Sequence, residues 1–128
     1  MTDDVTVDRP EFGEYPAGTE VFSAKFEADD FQDPMWLEGR EYPDGAVITI
    51  RRGKTPPQGW VLRHRHLSDL DRADLVFRMH ADDDALGALY DLSDEAFDEF
   101  VTAWDADGGV TPGKSPRSTK RSKATKRR

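Results

Sequence analysis

The sequence contains no cysteine, which excludes disulfide bonds, thiolate metal sites and cysteine nucleophiles. It also lacks any apolar run near the ~18 residues that a membrane-spanning helix needs. Its first residues, MTDDVTVDRPEF, are acidic and do not follow the basic-then-apolar pattern of a signal peptide. We therefore expect neither a membrane protein nor a secreted disulfide-rich scaffold, and the absence of cysteine is compatible with a reducing cytosol.

Apolar residues are scarce for a folded chain. Of 128 residues, 36% are hydrophobic and 34% are charged, so the apolar share lies below the globular average and the charged share above it. This length fits one domain with a tail better than two domains with separate cores. A core can form only if part of the chain stays outside it.

Acidic residues are missing from the last part of the chain. Residues 112–128 contain no Asp or Glu but carry eight of the 18 Lys and Arg: Lys114, Arg117, Lys120, Arg121, Lys123, Lys126, Arg127 and Arg128. Residues 1–111 therefore hold all 26 acidic groups and ten basic ones, a net charge of −16. The end of the chain is too polar to bury, which predicts a disordered basic tail that could bind a polyanion.

The first half of the chain favours β-structure. Residues 1–18 combine Pro, Gly and acids without a period, and we predict an extended acidic arm. Val21–Phe26 is an apolar-rich run, and Ala46–Arg51 is β-branched and follows a Pro-Asp-Gly turn; both predict strands. Trp60–His66 is predicted as a partner strand, which gives a hairpin over 46–66 with a Gly- and Pro-rich loop.

The second half favours helices. At Ser68 the apolar period changes from two to about 3.6, and Ser68 and Ser93 are suitable N-caps with acids in the turn that follows. We predict three helices over 68–107 and an α+β fold, with a small antiparallel β-sheet from about residue 19 to 66. The predicted division is an arm over 1–18, one domain over 19–111 and a disordered basic tail over 112–128.

The last predicted helix carries a continuous apolar stripe. Phe97, Phe100, Val101 and Trp104 follow one another at helical spacing. Such a stripe packs on the chain's own core or on a partner, so these four residues are candidates for partner binding. In a domain this small the two roles are compatible.

Candidates for chemistry are weak. His64 and His66 would share one face of the predicted strand, but a metal site needs further ligands, and neighbouring arginines disfavour a cation. Residues 108–115 match a phosphate-binding loop without the strand and helix that such a loop requires. We expect no enzyme, metal or cofactor. A basic patch formed by Arg51, Arg52, Lys54, Arg63, His64, Arg65 and His66 is either a binding surface or a balance for nearby acids.

Residues 92–115 read LSDEAFDEFVTAWDADGGVTPGKS. This segment resembles the C-terminal part of tail assembly chaperones of actinobacterial siphophages. In those proteins a capped helix with Phe, Val and Trp at these spacings ends in Gly-Val and continues through a Gly-Lys-Ser-type linker into a polar tail. The resemblance extends over about residues 68–115, and the polybasic character of this tail departs from the family, whose tails are often rich in Ser and Ala.

The resemblance implies a non-enzymatic short-form chaperone in the host cell cytoplasm. Such proteins bind the phage tape-measure protein while tail tube protein polymerises around it, together with a longer isoform made by ribosomal frameshifting. An alternative is a small nucleic-acid- or ribosome-associated protein that docks through the basic tail. A small regulatory binding module, such as an antitoxin, is a third possibility.

Overall fold

The computed structural model describes residues 9–108. Outside these residues lie the first eight residues of the predicted arm, residues 109–111 of the predicted domain and the whole predicted basic tail with its eight Lys and Arg. The strands are β1 (Glu11–Phe12), β2 (Val21–Phe26) and β3 (Ala46–Arg51). The helices are α1 (Gln58–Arg63), α2 (Asp69–His80), α3 (Asp83–Tyr90) and α4 (Asp94–Gly108), with short 3₁₀ helices at Ala28–Asp30 and Pro34–Trp36.

The three strands form one small sheet in the order β1-β3-β2. β2 and β3 pair antiparallel over their whole length, from Val21 opposite Arg51 to Phe26 opposite Ala46. β1 adds a parallel strand at the other edge of β3, where the amide of Val47 donates a 2.8 Å hydrogen bond to the carbonyl oxygen of Pro10. The α+β prediction is confirmed, but the sheet is mixed because part of the predicted arm joins it.

The predicted hairpin over 46–66 is wrong, because residues 58–63 form α1 rather than a partner strand. β1 and β2 occupy both edges of β3, so no edge of β3 is available for residues 60–66. Pro57 precedes the helix, at a position where its missing N–H removes no helical hydrogen bond. The amide of His64 closes a helical turn onto the carbonyl oxygen of Trp60 at 3.2 Å.

The three predicted C-terminal helices are confirmed. Ser68 caps α2 by accepting a 3.0 Å hydrogen bond from the amide of Asp71, and Ser93 accepts one from Ala96 at the start of α4. Asp82 caps α3 in the same way. None of the helices within residues 9–108 combines the length and apolar character that crossing a membrane requires.

One face of the sheet and the inner faces of α3 and α4 enclose the core. Ala46, Ile48 and Ile50 alternate on the buried face of β3. Phe100 of α4 packs between β2 residues, with ring centroids 5.4 Å from Phe22 and 5.9 Å from Phe26. The remaining buried apolar residues are Phe26, Phe31, Leu37, Tyr42, Phe77, Ala81, Ala85, Leu86, Ala88, Leu89, Leu92, Ala96 and Trp104.

Gly45, which precedes β3, should not tolerate a side chain. Its φ is +76°, and a Cβ there would lie 2.0 Å from the carbonyl oxygen of Phe26. We expect Gly45→Ala to lower the free energy of unfolding by about 2–3 kcal/mol, through backbone strain together with this clash. Urea denaturation measures the loss. Gly39→Ala is the matched control, because φ there is +92° but nothing lies within 4 Å; equal losses at both positions would contradict the role of the clash.

Candidate docking surface

The four apolar residues of the predicted stripe lie on the inner side of α4. Phe100 and Trp104 are 2% and 3% exposed, and Phe97 and Val101 are partly buried against the same core. The rings of Phe97 and Trp104 each lie 5.7 Å from that of Phe77 on α2. The stripe thus builds the core of the folded chain. Its role in partner binding stays a prediction, and only Phe97 and Val101 keep a substantial part of their side chains accessible.

Two arginines of the predicted basic patch hold the end of α4 against the end of β3. The indole nitrogen of Trp104 donates a 2.8 Å hydrogen bond to the carbonyl oxygen of Arg51. The guanidinium group of Arg52 donates to the carbonyl oxygen of Asp107 at 2.7 and 3.1 Å. The guanidinium carbon of Arg51 lies 5.3 Å from the ring centroid of Tyr15, a cation–π contact. Arg51 and Arg52 therefore serve the fold.

The other cations of the patch are accessible. Lys54, Arg63 and Arg65 are exposed, and none of them forms an ion pair with another residue in the range 9–108. Arg65 donates a 2.7 Å hydrogen bond to the carbonyl oxygen of Leu62. Residues 45–68, which contain these cations, include no Asp or Glu. An otherwise acidic body thus has one region of positive charge.

The histidines do not share a strand face. The ring of His64 stacks on Trp60 with centroids 4.2 Å apart, and that of His66 lies 6.4 Å from His64. His80 packs edge-on against Trp104, with ring centroids 5.1 Å apart. Within the part of the chain that the structure describes, no group of three or more His, Asp or Glu is placed to hold a metal ion.

A groove of about 310 Å³ lies between the loop that precedes α1, α1 itself and the C-terminal half of α2. We call it the α1–α2 groove. The lining residues are Lys54, Thr55, Pro56, Pro57, Trp60, Val76, Met79 and His80. Met79, in the lining, is 55% exposed, and Leu62, on α1 but outside the lining, is 57% exposed. The groove therefore offers an accessible apolar floor with a lysine at its rim.

A second accessible apolar site has the opposite charge. Met35 and Trp36, in the Pro34–Trp36 3₁₀ helix, are 74% and 62% exposed. Trp36 borders a depression of about 420 Å³ that also includes Asp33 and Asp94. We call it the Trp36 site. Its carboxylates distinguish it from the α1–α2 groove.

Known proteins do not identify this arrangement. No protein-family model, no curated protein and no solved structure matches the chain. The candidate function therefore rests on the accessible surfaces of this chain and on the resemblance of residues 68–115.

A buried charged cluster around Asp91 had no signal in the sequence. Asp91, at the α3–α4 junction, is 3% exposed and accepts hydrogen bonds from Arg40 at 2.7 and 2.8 Å and from the Tyr42 hydroxyl at 2.5 Å. Burial, and then the hydrogen bond to Asp91, raise the pKa of Tyr42 above its ordinary value. The hydrogen bond to Asp91 likewise raises the pKa of Arg40. The backbone N–H of Gln32 donates a 3.0 Å hydrogen bond to the backbone oxygen of Asp91. These contacts hold the segment between β2 and β3 against the helices.

Proposed function

We propose that the protein is the short form of a siphophage tail assembly chaperone, which binds the tape-measure protein in the host cell cytoplasm without catalysing a reaction. The observation that carries this proposal is the accessible apolar surface of α1 and α2. Leu62, Leu70 and Met79 are 57%, 81% and 55% exposed. A chaperone of this kind has to present apolar side chains to its client while remaining folded itself, and large exposed apolar residues mark such interaction sites.

The resemblance of residues 92–115 to this chaperone family gives independent support. In the structure these residues begin with α4, whose N-terminus is capped by Ser93 and whose apolar face is packed on the core. The net charge of −16 over residues 1–111 supports the same role. Like-charged complexes repel one another, which keeps client-loaded chaperones from associating.

Affinity capture tests the proposal. A copy with an N-terminal tag is expressed in cells that produce the phage, and its partners are identified by mass spectrometry. We expect a longer isoform that shares the sequence up to about residue 113, a very long tape-measure protein rich in helix and, in smaller amount, tail tube protein. Recovery of none of these from assembling cells would contradict the proposal. A copy lacking residues 112–128 is the control, and it should capture the same tape-measure protein.

The second candidate is a nucleic-acid- or ribosome-associated protein. The observation that favours it is the concentration of eight Lys and Arg within residues 112–128, without an acid. This candidate predicts that binding to RNA weakens steeply with salt, because cations on the protein displace counterions from phosphates. It also predicts that deletion of residues 112–128 abolishes RNA binding. The chaperone proposal predicts instead that the same deletion leaves capture of the tape-measure protein intact.

A further inference from the structure

The charge around the α1–α2 groove is opposite to that of the body as a whole. Residues 45–68 contain five Lys and Arg and no acid, in a body that otherwise carries all 26 acids. Two of these five, Arg51 and Arg52, are engaged within the fold. Lys54, Arg63 and Arg65 keep their charges accessible and unpaired among residues 9–108. A partner that carries negative charge would therefore be favoured here over a basic one.

The groove itself is apolar and has the size for an anchor side chain. Its volume of about 310 Å³ is at the small end of the range for ligand sites. Pro56, Trp60 and Met79 line it, and the His64 ring holds Trp60 by stacking on it. Apolar anchors that fill such pockets supply most of the binding energy of an interface, while the charged rim selects the partner.

We propose that the α1–α2 groove binds an acidic segment of a client protein, with a large apolar side chain of that segment inserted beside Trp60 and Met79. This inference deepens the proposed chaperone function and rests on it for the client. Lys54 at the rim, and Arg63 three residues after Trp60 on the same side of α1, face the acidic flanks of the segment.

Charge complementarity favours this occupant over two others. The chain's own residues 112–128 carry only positive charge, which does not complement that of Lys54 and Arg63. A nucleic acid needs a basic surface along several phosphates, whereas the start of α2 adds the exposed acids Asp69 and Asp71 directly after the basic region. A short acidic segment satisfies the local charge without crossing that acidic surface.

Nuclear magnetic resonance of the ¹⁵N-labelled full chain tests the site. The chain has three tryptophans, so its three indole N–H signals can be assigned with single Trp→Phe variants. The probe is a ten-residue peptide of Glu and Asp around one Phe and two Leu, compared with the same peptide carrying Lys for every acid. We expect the acidic peptide to shift the Trp60 signal, and the Trp36 and Trp104 signals to stay unchanged. A shift by the Lys peptide alone, or of Trp36 alone, would overturn the proposal.

Exposed variants test the two parts of the site. Reversing both charges with Lys54→Glu and Arg63→Glu should weaken the acidic peptide about tenfold or more and strengthen the Lys peptide. Met79→Ser should weaken the acidic peptide through the loss of apolar contact. Lys25→Glu on β2 and Met35→Ser at the Trp36 site are matched controls, because both residues are exposed away from the groove. If the controls weaken binding as much as the groove variants, the proposal fails.

Other occupants give different results in the same assay. Equal shifts of the Trp60 signal by a ten-residue poly-dT strand or by anionic phosphatidylglycerol vesicles would show a site for polyanions and overturn the peptide assignment. A Trp60 signal that moves with protein concentration alone would show a second copy in the groove instead.

If wild-type protein binds the peptide with the expected charge preference but captures no tape-measure protein, the proposed function fails and the groove stands. If capture succeeds and is unchanged by Lys54→Glu with Arg63→Glu, the groove assignment fails and the function stands.

Discussion

Phe100→Asp should unfold the protein. Phe100 is 2% exposed and packs against Phe22 and Phe26, so its replacement removes aromatic contacts and places a carboxylate where no partner exists among them. Loss of a buried Phe costs about 3–5 kcal/mol, and the buried charge adds to it. Since a domain of this size is stable by only about 5–15 kcal/mol, we expect loss of the folded signal. Circular dichroism with urea denaturation measures it.

Ala103→Asp is the matched control for this prediction. Ala103 lies on the exposed face of the same helix, one turn from Phe100, and receives the same new charge. It should change the free energy of unfolding by less than about 1 kcal/mol, as surface substitutions generally do. If Phe100→Asp stays folded and loses only its capture of tape-measure protein, the apolar stripe of α4 is an interface, contrary to the packing described above.

The helical half of the fold was predictable because its signals are local. Ser68 and Ser93 cap α2 and α4 with their own hydroxyl groups, and acids follow in the first turns where the helix dipole favours them. The apolar stripe of α4 indicated which face is buried, but not whether the chain or a partner covers it. That answer depends on Phe22 and Phe26, which lie more than 70 residues earlier.

The sheet and α1 depend on contacts that no short window of sequence contains. β1 is two residues long and pairs with β3 in parallel, so no turn connects them directly. Trp60–His66 starts with three apolar residues after a Gly- and Pro-rich loop, a pattern that fits a strand as well as a helix. The six residues of α1 are too few for a helical period to be distinguished. Because β1 and β2 occupy both edges of β3, this segment cannot pair with β3 as a hairpin would require, and it closes a helical turn instead.

The candidate site could be predicted only in part for the same reason. The sequence showed the basic residues within 51–66 as one cluster, and the predicted hairpin would have placed them on one surface. The structure separates them: Arg51 and Arg52 bind the end of α4, Lys54 lines the groove, and Arg63 stays exposed on α1. The groove itself exists because α1 is a helix, so no prediction that treated Trp60 as a strand residue could contain it.

Among the Asp→Asn and Glu→Gln substitutions within residues 9–108, Asp91→Asn should lower the free energy of unfolding the most. The carboxylate accepts from Arg40 and from the Tyr42 hydroxyl, and the amide of Asn has only one acceptor oxygen for these donors. Leaving buried hydrogen-bonding groups without a full set of partners costs about 1–3 kcal/mol, and we expect a loss of this size. Urea denaturation measures the loss. Asp98→Asn, on the exposed face of α4, is the control and should be nearly neutral.

The pH dependence of stability identifies the cause of that loss. The pKa of Tyr42 is raised in the folded state, first by burial and then by the hydrogen bond to Asp91. The folded state therefore holds this proton more tightly than the unfolded chain. The resulting stability is fully present below the ordinary tyrosine pKa of about 10 and decreases as the pH rises above it. Tyr42→Phe removes the titrating group, so the free energy of unfolding of this variant should fall less than that of the wild type between pH 9 and 11, by on the order of 1 kcal/mol.

In a double-mutant cycle, Tyr42→Phe and Asp91→Asn should be non-additive by about 1 kcal/mol, because the two residues share one hydrogen bond. Additive losses would mean that Asp91 stabilises the junction through Arg40 alone.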